Sequence, residues 1–447
     1  MKVVIIGAGF GGLTLARKLN NKPGFEVMLI DKFNYHQFQP LFYQVASAGL
    51  DPSNISFPLR KIFQKSKNVR IRMDEVKQVL PAENKIITET EEIIYDILVL
   101  ATGADTNFFG NAKISVNAFP MKSTVEALQL RYRLLKNLED AVTLKDEEER
   151  QRLMNIVVVG GGPTGVEVAG ALAELKKYVL PKEYPELDFS KMNIYLLEGL
   201  KMTLAAMSET SSVRSCKYLR RLGVIVRTET LVDDYDGEDV KLNNGDKIPS
   251  ATVIWAAGIK GNVPAGIMSE LIAVGNRINV NRQCQVESYH NIYAIGDLAY
   301  METPKYPGAH PQVAPVAMQQ AAMLAENLIR KERKLLTFYD FEYHNSGTMA
   351  TIGRNLAVGD IPMPKFFRTK LHLGGFPAWL LWMGLHLFLI LGMKNRLFVL
   401  LNWIYNYVTY DQSLRLIFKK FNTAQPGLQM TFENSGNKIC STANVNQ

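Results

Sequence analysis

The chain has 447 residues, a formal net charge of +8, and a composition that is 47% hydrophobic and 21% charged. Such a composition excludes an intrinsically disordered chain and gives room for two or three domains with their own cores. The three cysteines, Cys216, Cys284 and Cys440, are far apart and form no CxxC pair. They argue against a disulfide framework and a zinc site, and we predict no metal site. Met1 leads straight into an apolar strand, so we expect no N-terminal targeting segment.

The first predicted elements are an apolar strand at residues 3–6, a glycine-rich loop and a helix. Gly7, Gly9 and Gly12 fit the GxGxxG spacing, and Asp31 ends the next strand. The pattern is typical of a dinucleotide site, because its glycines allow a tight turn, close approach of a pyrophosphate, and packing of the helix on the strand. The pyrophosphate then lies at the positive end of the helix, and the carboxylate accepts hydrogen bonds from the ribose. The alternative is a tight turn that carries glycines without a ligand.

The same pattern returns in the second half of the chain. Three glycines have the same spacing there: Gly160, Gly162 and Gly165. The corresponding acid is Glu198, which follows after a longer interval than usual. We attribute the excess to an insertion around 176–191, where Pro181 and Pro185 are expected to break the helix. A carboxylate at this position repels a 2′-phosphate, so NADH is favoured over NADPH.

The two halves repeat one order of elements. Each half runs from a strand through a glycine loop and a helix to a strand ending in an acid, then a β-hairpin, then a strand ending in a small-residue turn. The last strand is ILVLATGA at 97–104 in the first half and VIWAAGI at 253–259 in the second. The repeat predicts two nucleotide-binding units of the doubly wound α/β type. The charged run 145–152 is interpreted as a helix end or linker.

A third segment follows the second unit. It contains the strand NIYAIGDLA at 291–299, a helix rich in alanine and methionine, and a β-type alternation at 343–360. Two apolar stretches come next, at 376–393 and 397–410. The first has 18 residues without a formal charge, which as one helix is borderline for crossing a membrane.

The second apolar stretch has the pattern of an amphipathic interfacial helix. Asn402, Asn406 and Thr409 fall on one helical face. Residues 361–447 include nine basic and only two acidic residues, and three of the four tryptophans lie in the same region. Positive charge with tryptophan and nearly uncharged apolar runs indicates an anionic membrane surface and no nucleic acid. We expect attachment to one leaflet; the alternative is a helical hairpin buried in a soluble dimer.

Glu167 lies early in the helix that follows the second glycine loop. One interpretation is a favourable interaction of an acid with the helix dipole. The other is a contact to the nicotinamide end of the cofactor, or a role in moving a proton.

The motifs GAGFGG, GGGPTGVE, ATGA and AIGD resemble those of flavoprotein reductases with two dinucleotide-binding domains. The segments 34–60, 311–320 and 350–358, together with the apolar tail, resemble type II NADH dehydrogenase, the single-subunit, non-pumping NADH:quinone oxidoreductase. The resemblance runs from Met1 to about Lys420. Segment 34–60 has no cysteine, which argues against disulfide and sulfide:quinone reductases.

The resemblance implies an α/β fold with two Rossmann-like dinucleotide-binding domains plus a C-terminal membrane-anchoring helical segment. The implied division is 1–115 and 266–340 for FAD, 116–265 for NADH, 341–420 for membrane and quinone, and 421–447 as a tail. Sixteen residues are implied in cofactor binding: Gly7, Gly9, Gly12, Asp31, Ala101, Thr102, Gly103, Gly296, Asp297 and Ala317 for FAD, and Gly160, Gly162, Thr164, Gly165, Glu198 and Gly258 for NADH.

The resemblance also implies a quinone side of the flavin. Its implied residues are Gln44, Ala46, Gln319 and Gln320, with Glu167, Gln319 and Gln320 as the catalytic set. The family motif AQxAxQQ is altered here, since Pro315 replaces its first glutamine; the glutamine pair could alternatively be plain helix polarity. The implied partners are quinone, the membrane lipid surface through 371–420, and a second copy in a homodimer.

The implied location is the cytoplasmic side of the cell inner membrane, as a peripheral monotopic protein. Two alternative functions remain open at this point. One is a soluble NAD(P)H-dependent flavin reductase of a protein or small-molecule acceptor, and the other is a redox-signalling flavoprotein.

Overall fold

The computed structural model describes residues 1–363, 370–411 and 414–417. Met1–Arg415 form one compact unit, and Leu416–Gln447 form a second unit, of which only the first two residues are described. The predicted tail 421–447 therefore lies outside the described residues.

The first Rossmann-like unit is built on a five-stranded parallel sheet. Its elements are β1 (Lys2–Ile6), α1 (Phe10–Leu19), β2 (Glu26–Asp31), β3 (Tyr35–Gln37), α2 (Phe42–Ala46), β4 (Ser56–Pro58), α3 (Leu59–Ile62), β5 (Val69–Met73), β6 (Val76–Leu80), β7 (Lys85–Thr88), β8 (Glu92–Ile94), β9 (Ile97–Leu100), β10 (Ala104–Thr106) and α4 (Ala112–Asn117). The central strands β1 and β9 are apolar runs that are buried almost throughout, as expected of parallel strands covered on both faces.

The second unit repeats this plan on a four-stranded sheet in the order β13-β12-β11-β17. Its elements are α5 (Thr124–Thr143), α6 (Glu147–Met154), β11 (Ile156–Val159), α7 (Pro163–Glu174), α8 (Leu180–Glu183), β12 (Ile194–Leu197), α9 (Glu209–Arg221), β13 (Ile225–Arg227), β14 (Val232–Tyr235), β15 (Asp239–Leu242), β16 (Lys247–Pro249), β17 (Thr252–Trp255) and β18 (Ile259–Gly261). The predicted fold class is confirmed. The predicted hairpins are three-stranded antiparallel sheets instead, β6-β7-β8 and β14-β15-β16.

The helix after the second glycine loop is longer than predicted. Pro181 does not break it, because Leu175–Val179 widen into a π-helical turn and α8 continues directly from there. Pro181 occupies the first turn of α8, where a missing N–H and a fixed φ are tolerated. The helix ends at Glu183, two residues before Pro185, which disfavours helical backbone in the residue before it.

The remaining elements return to the first unit and then form a C-terminal layer. They are β19 (Ile272–Ala273), β20 (Arg277–Asn279), β21 (Ile292–Ala294), β22 (Ala299–Tyr300), α10 (Ala314–Glu332), β23 (Thr348–Thr351), β24 (Ala357–Pro362), β25 (Lys370–Gly374), α11 (Phe376–Leu389) and α12 (Met393–Thr409). Strand β21 pairs with β9 in the first sheet, and α10 packs on α1. Strands β23, β24 and β25 form an antiparallel sheet that contacts α11.

The first apolar stretch is not one helix across 376–393. Helix α11 ends at Leu389, and α12 starts after Gly392, whose φ of +78° is readily adopted only by glycine. In the described part of the chain, no helix combines the length and the apolar character needed to cross a membrane.

Candidate active site

The first glycine loop is a backbone cradle between β1 and α1. Gly7 has φ +100°, and a Cβ there would lie 2.3 Å from the Ala101 carbonyl oxygen. A Cβ on Gly12 would lie 1.9 Å from the Gly7 carbonyl oxygen. Backbone contacts within the protein therefore require glycine at both positions, whether or not a ligand binds. Gly9 is different, since a Cβ there would meet nothing within 4 Å. Gly9 is also the N-cap of α1 and has no side-chain cap, which leaves open space for a phosphate at the helix N-terminus.

Asp31 closes the first cradle from the end of β2. One carboxylate oxygen accepts a hydrogen bond from the Ala8 N–H at 2.6 Å and the other accepts from the Phe33 N–H at 2.8 Å. Burial raises the pKa of Asp31, and these two backbone hydrogen bonds oppose that rise. The acid predicted to bind ribose therefore also fixes the glycine loop. Open space, uncapped helix amides and a fixed carboxylate together fit the adenosine diphosphate part of FAD.

The second loop reproduces the first in its close contacts. A Cβ on Gly160 would lie 2.4 Å from the Ala256 carbonyl oxygen, and one on Gly165 would lie 1.8 Å from the Gly160 carbonyl oxygen. Gly162 is the uncapped N-cap of α7, and a Cβ there meets nothing within 4 Å. The second loop is therefore a second phosphate cradle, formed by a separate strand and helix.

Glu198 takes the place of Asp31 in the second cradle. Its carboxylate accepts hydrogen bonds from the Gly161 N–H at 2.5 Å and the Leu200 N–H at 2.8 Å. Glu198 comes directly after β12, which pairs in parallel with β11, so the long interval in the sequence leaves the acid beside the loop. Thr164 is exposed in the first turn of α7, and a Cβ on Gly258 would approach the Phe109 ring at 3.0 Å.

The other residues assigned to FAD lie at the carboxyl edge of the first sheet. Ala101, Thr102 and Gly103 directly follow β9, and the Thr102 hydroxyl donates to the Asn262 carbonyl at 2.6 Å. Gly296 and Asp297 come one residue after the end of β21, the neighbouring strand. Both segments therefore lie at the carboxyl edge of the sheet, which is where ligands bind in parallel sheets.

Gln319 and Gln320 make different contacts, although they are adjacent on α10. Gln320 is 1% exposed, and its side-chain oxygen accepts from the Gly296 N–H at 2.8 Å. Gln319 is bound to the backbone of His344, with its amide donating to the carbonyl at 2.9 Å and accepting from the N–H at 3.0 Å. Ala317 packs 3.1 Å from the Cβ position of Gly296. The structure thus joins Gln320 to Gly296, one of the residues predicted to bind FAD, and the quinone-side role of the pair stays a prediction.

Glu167 is a buried carboxyl in the second turn of α7. It is 9% exposed and accepts a hydrogen bond from the Thr351 N–H at 3.3 Å. Burial raises its pKa to about 8, so the side chain is protonated at pH 7. The helix-dipole interpretation requires an ionised acid and is therefore not favoured. A protonated carboxyl between α7, α2 and β23 is suited to donate a proton.

A cluster of aromatic side chains lies next to Glu167, on the side of the C-terminal helices. The Gln44 amide donates to the Tyr43 hydroxyl at 2.7 Å, and its oxygen accepts from the Trp403 indole N–H at 2.7 Å. The Trp382 ring stacks on His386 with 4.0 Å between centroids. Gln44 was predicted on the quinone side together with unnamed residues of 34–48 and 376–410. The aromatic residues that surround it belong to those segments, on α2, α11 and α12, but were not identified individually. Ala46 is buried at the end of α2.

Helix α12 combines an inward-facing polar side chain with many exposed apolar side chains. The Asn406 amide donates to the Gly49 carbonyl at 2.9 Å, so this residue of the predicted polar face is directed toward the protein, whereas Thr409 is exposed. The outward side chains of the two helices are apolar, with Phe388 and Val408 71% exposed and Met393 76% exposed. A contiguous exposed apolar face of this kind indicates an interaction surface.

The comparisons agree with this geometry. Residues 1–321 match the family model described as pyridine nucleotide-disulphide oxidoreductase, and residues 345–409 match the NDH2 C-terminal domain. The chain is 33% identical to the type II NADH:quinone oxidoreductase Ndh of Mycobacterium tuberculosis over 427 residues, which is 91% of this chain and 88% of that one. The chain belongs to the type II NADH:quinone oxidoreductases. The fold of this type II oxidoreductase resembles that of NDH2 from Plasmodium falciparum, solved in complex with NADH, with a TM-score of 0.83 at 22% identity over 91% of this chain and 98% of that one.

Membership of the type II oxidoreductases gives the enzyme its cofactors, FAD and NADH. The assignment of FAD to the first cradle and of NADH to the second stays a prediction. Sequence reasoning missed Thr351 and Tyr43, the residues that surround Glu167. Thr351 lies 184 residues from Glu167 in the sequence, so no local pattern could have indicated it.

Proposed function

We propose that this enzyme binds NADH at the second glycine loop and passes two electrons through FAD at the first loop to a quinone, feeding a respiratory chain without pumping protons. The observation that supports this best is the pair of complete phosphate cradles, each closed by a carboxylate held on its own loop. Bound FAD supplies the redox chemistry, accepting a hydride from NADH and returning two electrons to quinone.

The protein's own residues bind and orient NADH and protonate the quinone. The open amides at Gly162 hold the pyrophosphate of NADH, and Glu198 accepts from its adenosine ribose and repels a 2′-phosphate. Glu167 holds a proton at its carboxyl and donates it to a quinone oxygen. In this proposal the quinone lies against Gln44, Ala46 and the glutamine pair Gln319 and Gln320.

The test is steady-state oxidation of NADH by purified holoenzyme with and without a short-chain quinone, alongside a flavin spectrum. NADH should bleach the flavin in both cases, and sustained turnover should require quinone. Sustained turnover with a soluble protein acceptor alone would favour a soluble reductase. Single, slow bleaching that quinone does not reverse would favour a signalling flavoprotein.

We further propose that α11 and α12 attach the enzyme to one leaflet on the cytoplasmic side of the cell inner membrane. The exposed apolar face supports this, since burial of such side chains in the interface is favourable by ~25 cal/mol per Å². The proposed domains are 1–115 with 266–340 for FAD, 116–265 for NADH and 341–420 for the membrane side.

Flotation with anionic liposomes tests the membrane proposal. Phe388→Ser combined with Val408→Ser should release the enzyme into the soluble fraction, whereas Met73→Ser, at an exposed apolar side chain of β5, should not. We also propose a homodimer. If the apolar face instead buries a second copy, light scattering without detergent would give a dimer that the double variant converts to monomer, and wild-type protein would not float.

A further inference from the structure

The turn between β23 and β24, residues 352–356, packs directly on the backbone of α7. A Cβ on Gly170 would lie 2.6 Å from the Gly353 nitrogen, so glycine is needed there for the turn to approach this closely. Gly170 is three residues after Glu167, and residues at this spacing share one face of a helix. The turn therefore lies against the face of α7 that carries Glu167.

Hydrogen bonds to two carboxyls hold the turn on α7. The Thr351 N–H, at the end of β23, donates to the Glu167 carboxyl at 3.3 Å. The Arg354 N–H donates to the Glu174 carboxyl at 2.6 Å. The turn is also closed within itself, because the Thr351 hydroxyl donates to the Leu356 carbonyl at 3.1 Å. A displacement of the turn would therefore move the hydrogen-bond donor of Glu167.

The side chain of Arg354 binds a different element, the C-terminal end of α12. Its guanidinium donates to the Asn406 carbonyl at 3.2 Å and to the Tyr407 carbonyl. It also lies over two rings, 4.5 Å from the centroid of Tyr407 and 3.5 Å from that of Tyr410. A planar guanidinium can serve two carbonyls while it stacks on aromatic faces, which an ammonium group cannot do. Arg354 thus joins the turn to α12.

The end of α12 lacks a cation of its own. The last carbonyls of a helix have no N–H partner within the helix and carry a partial negative charge. The last turn of α12 contains no basic residue, so Arg354 supplies the positive charge from another segment. About one turn earlier, the Trp403 indole donates to the Gln44 oxygen at 2.7 Å, which places this part of α12 beside the proposed quinone side.

Proton transfer to quinone depends on how these parts are spaced. A general acid must lie within hydrogen-bond reach of the atom that it protonates, about 2.6–3.2 Å. In the proposed function, the donor is Glu167 and the quinone lies against Gln44, which is bound to α12 through Trp403. The turn that binds Glu167 and the end of α12 must therefore keep a fixed separation, and Arg354 contacts both.

We propose that Arg354 is a positioning residue for the reduction of quinone. Its guanidinium binds the C-terminal end of α12 to the turn 352–356, and this contact keeps the Glu167 carboxyl at the distance from quinone that proton transfer requires. Arg354 itself transfers no proton. This inference rests on the proposed function, in which Glu167 is the donor to quinone.

The test separates the two half-reactions of the holoenzyme by anaerobic stopped flow. In Arg354→Met, NADH should bleach the flavin at the wild-type rate. Reoxidation by a saturating short-chain quinone should slow by about 10- to 100-fold, because a misplacement of ~1 Å can cost about 100-fold in rate. Arg354→Lys keeps the charge at the end of α12 but loses the planar fork, so its rate should lie between those of wild type and Arg354→Met.

Arg330→Met is the matched control. The Arg330 guanidinium also lies over a tyrosine ring, 4.8 Å from the centroid of Tyr339, and it also donates to a backbone carbonyl, that of Thr337 at 2.6 Å. These contacts are at the C-terminal end of α10, and Arg330 has no hydrogen bond to α7 or α12 among the described residues. Both half-reactions of Arg330→Met should run at the wild-type rate.

Two further measurements show whether Arg354 acts through Glu167. In a double-mutant cycle, Arg354→Met should have little effect in the Glu167→Gln background, because the donor that it positions is already absent. Infrared spectroscopy gives a measurement that is independent of activity. The carboxylic-acid C=O band that Glu167→Gln removes should shift to higher frequency in Arg354→Met, because the carbonyl loses its hydrogen bond from the Thr351 N–H.

Four results would overturn the inference. Reoxidation in Arg354→Met equal to that in Arg330→Met, with Glu167→Gln slow, would exclude the role of Arg354 and leave the proposed function intact. Slowing of both half-reactions, or equal slowing with and without Glu167, would show that Arg354 only supports the fold. An unshifted infrared band would show that Arg354 does not position Glu167. Normal reoxidation in Glu167→Gln would reject Glu167 as the donor, and the inference with it.

Discussion

Replacing Gly165 by alanine should disrupt the NADH cradle and leave the FAD cradle intact. The added Cβ would lie 1.8 Å from the Gly160 carbonyl oxygen, whereas ordinary contacts begin at 3.4 Å. The obstacle is backbone, so α7 must move away from β11 by more than 1 Å. Overpacking typically costs about 1–3 kcal/mol, and a rigid backbone obstacle places this variant near the upper end. A shift of ~1 Å in the phosphate-binding amides can cost about 100-fold in function.

Gly162→Ala is the matched control. Its backbone is extended, with φ −69°, and the added Cβ meets nothing within 4 Å. The fold should be unaffected to within about 0.5 kcal/mol, yet the methyl group enters the space where the pyrophosphate approaches. Both variants should lose affinity for NADH in calorimetric titration and keep their flavin absorbance, but only Gly165→Ala should unfold at lower temperature. Wild-type stability in Gly165→Ala would refute the close-contact reasoning.

Three further predictions follow from single side chains. Because burial raises the pKa of Glu167 in the folded protein from its ordinary 4.5 to about 8, the unfolded chain ionises first, and the stability of the wild type falls as pH rises between these values. In urea denaturation, the free energy of unfolding of Glu167→Gln should therefore increase relative to that of wild type by on the order of 4 kcal/mol between pH 4.5 and pH 8. Equal pH dependence of the two unfolding free energies would contradict the burial of Glu167 as a protonated acid. Asp31→Asn should purify with reduced flavin absorbance, since a charged acceptor for the Ala8 N–H is worth about 1.5–3 kcal/mol. Trp403→Phe should lower the free energy of unfolding by about 1–3 kcal/mol by leaving the Gln44 oxygen unpaired, whereas Trp382→Phe loses no hydrogen bond among the described residues, and equal losses would contradict this assignment.

The sequence predicted the two cradles in detail because their chemistry is local. Gly7 and Gly12 lie in contact across one turn of loop and helix, so the six residues 7–12 specify both the fold and the ligand contact. The role of Asp31 could be predicted for the same reason, since Asp31 ends the strand that pairs with β1. The spacing to Glu198 was irregular, and the pattern held because the inserted residues extend the helix without moving the strand.

The C-terminal helices show where such reasoning ends. Their composition predicted a lipid surface, but the helical pattern alone could not say which face turns outward. Asn406 faces inward because the Gly49 carbonyl needs a donor at that point, and Gly49 belongs to a distant segment. Only the packed structure shows that the apolar side is left exposed.

Glu167 marks the same division within the active site. The sequence by itself determined that two dinucleotide loops exist, that each has an acid, and that a carboxyl follows the second. Tertiary structure decided the state of that carboxyl, because its pKa depends on burial by α2 and β23 and on a hydrogen bond from Thr351. Desolvation is the sum of many contacts from remote segments, so a protonated acid beside Tyr43 could be identified only once the chain was folded.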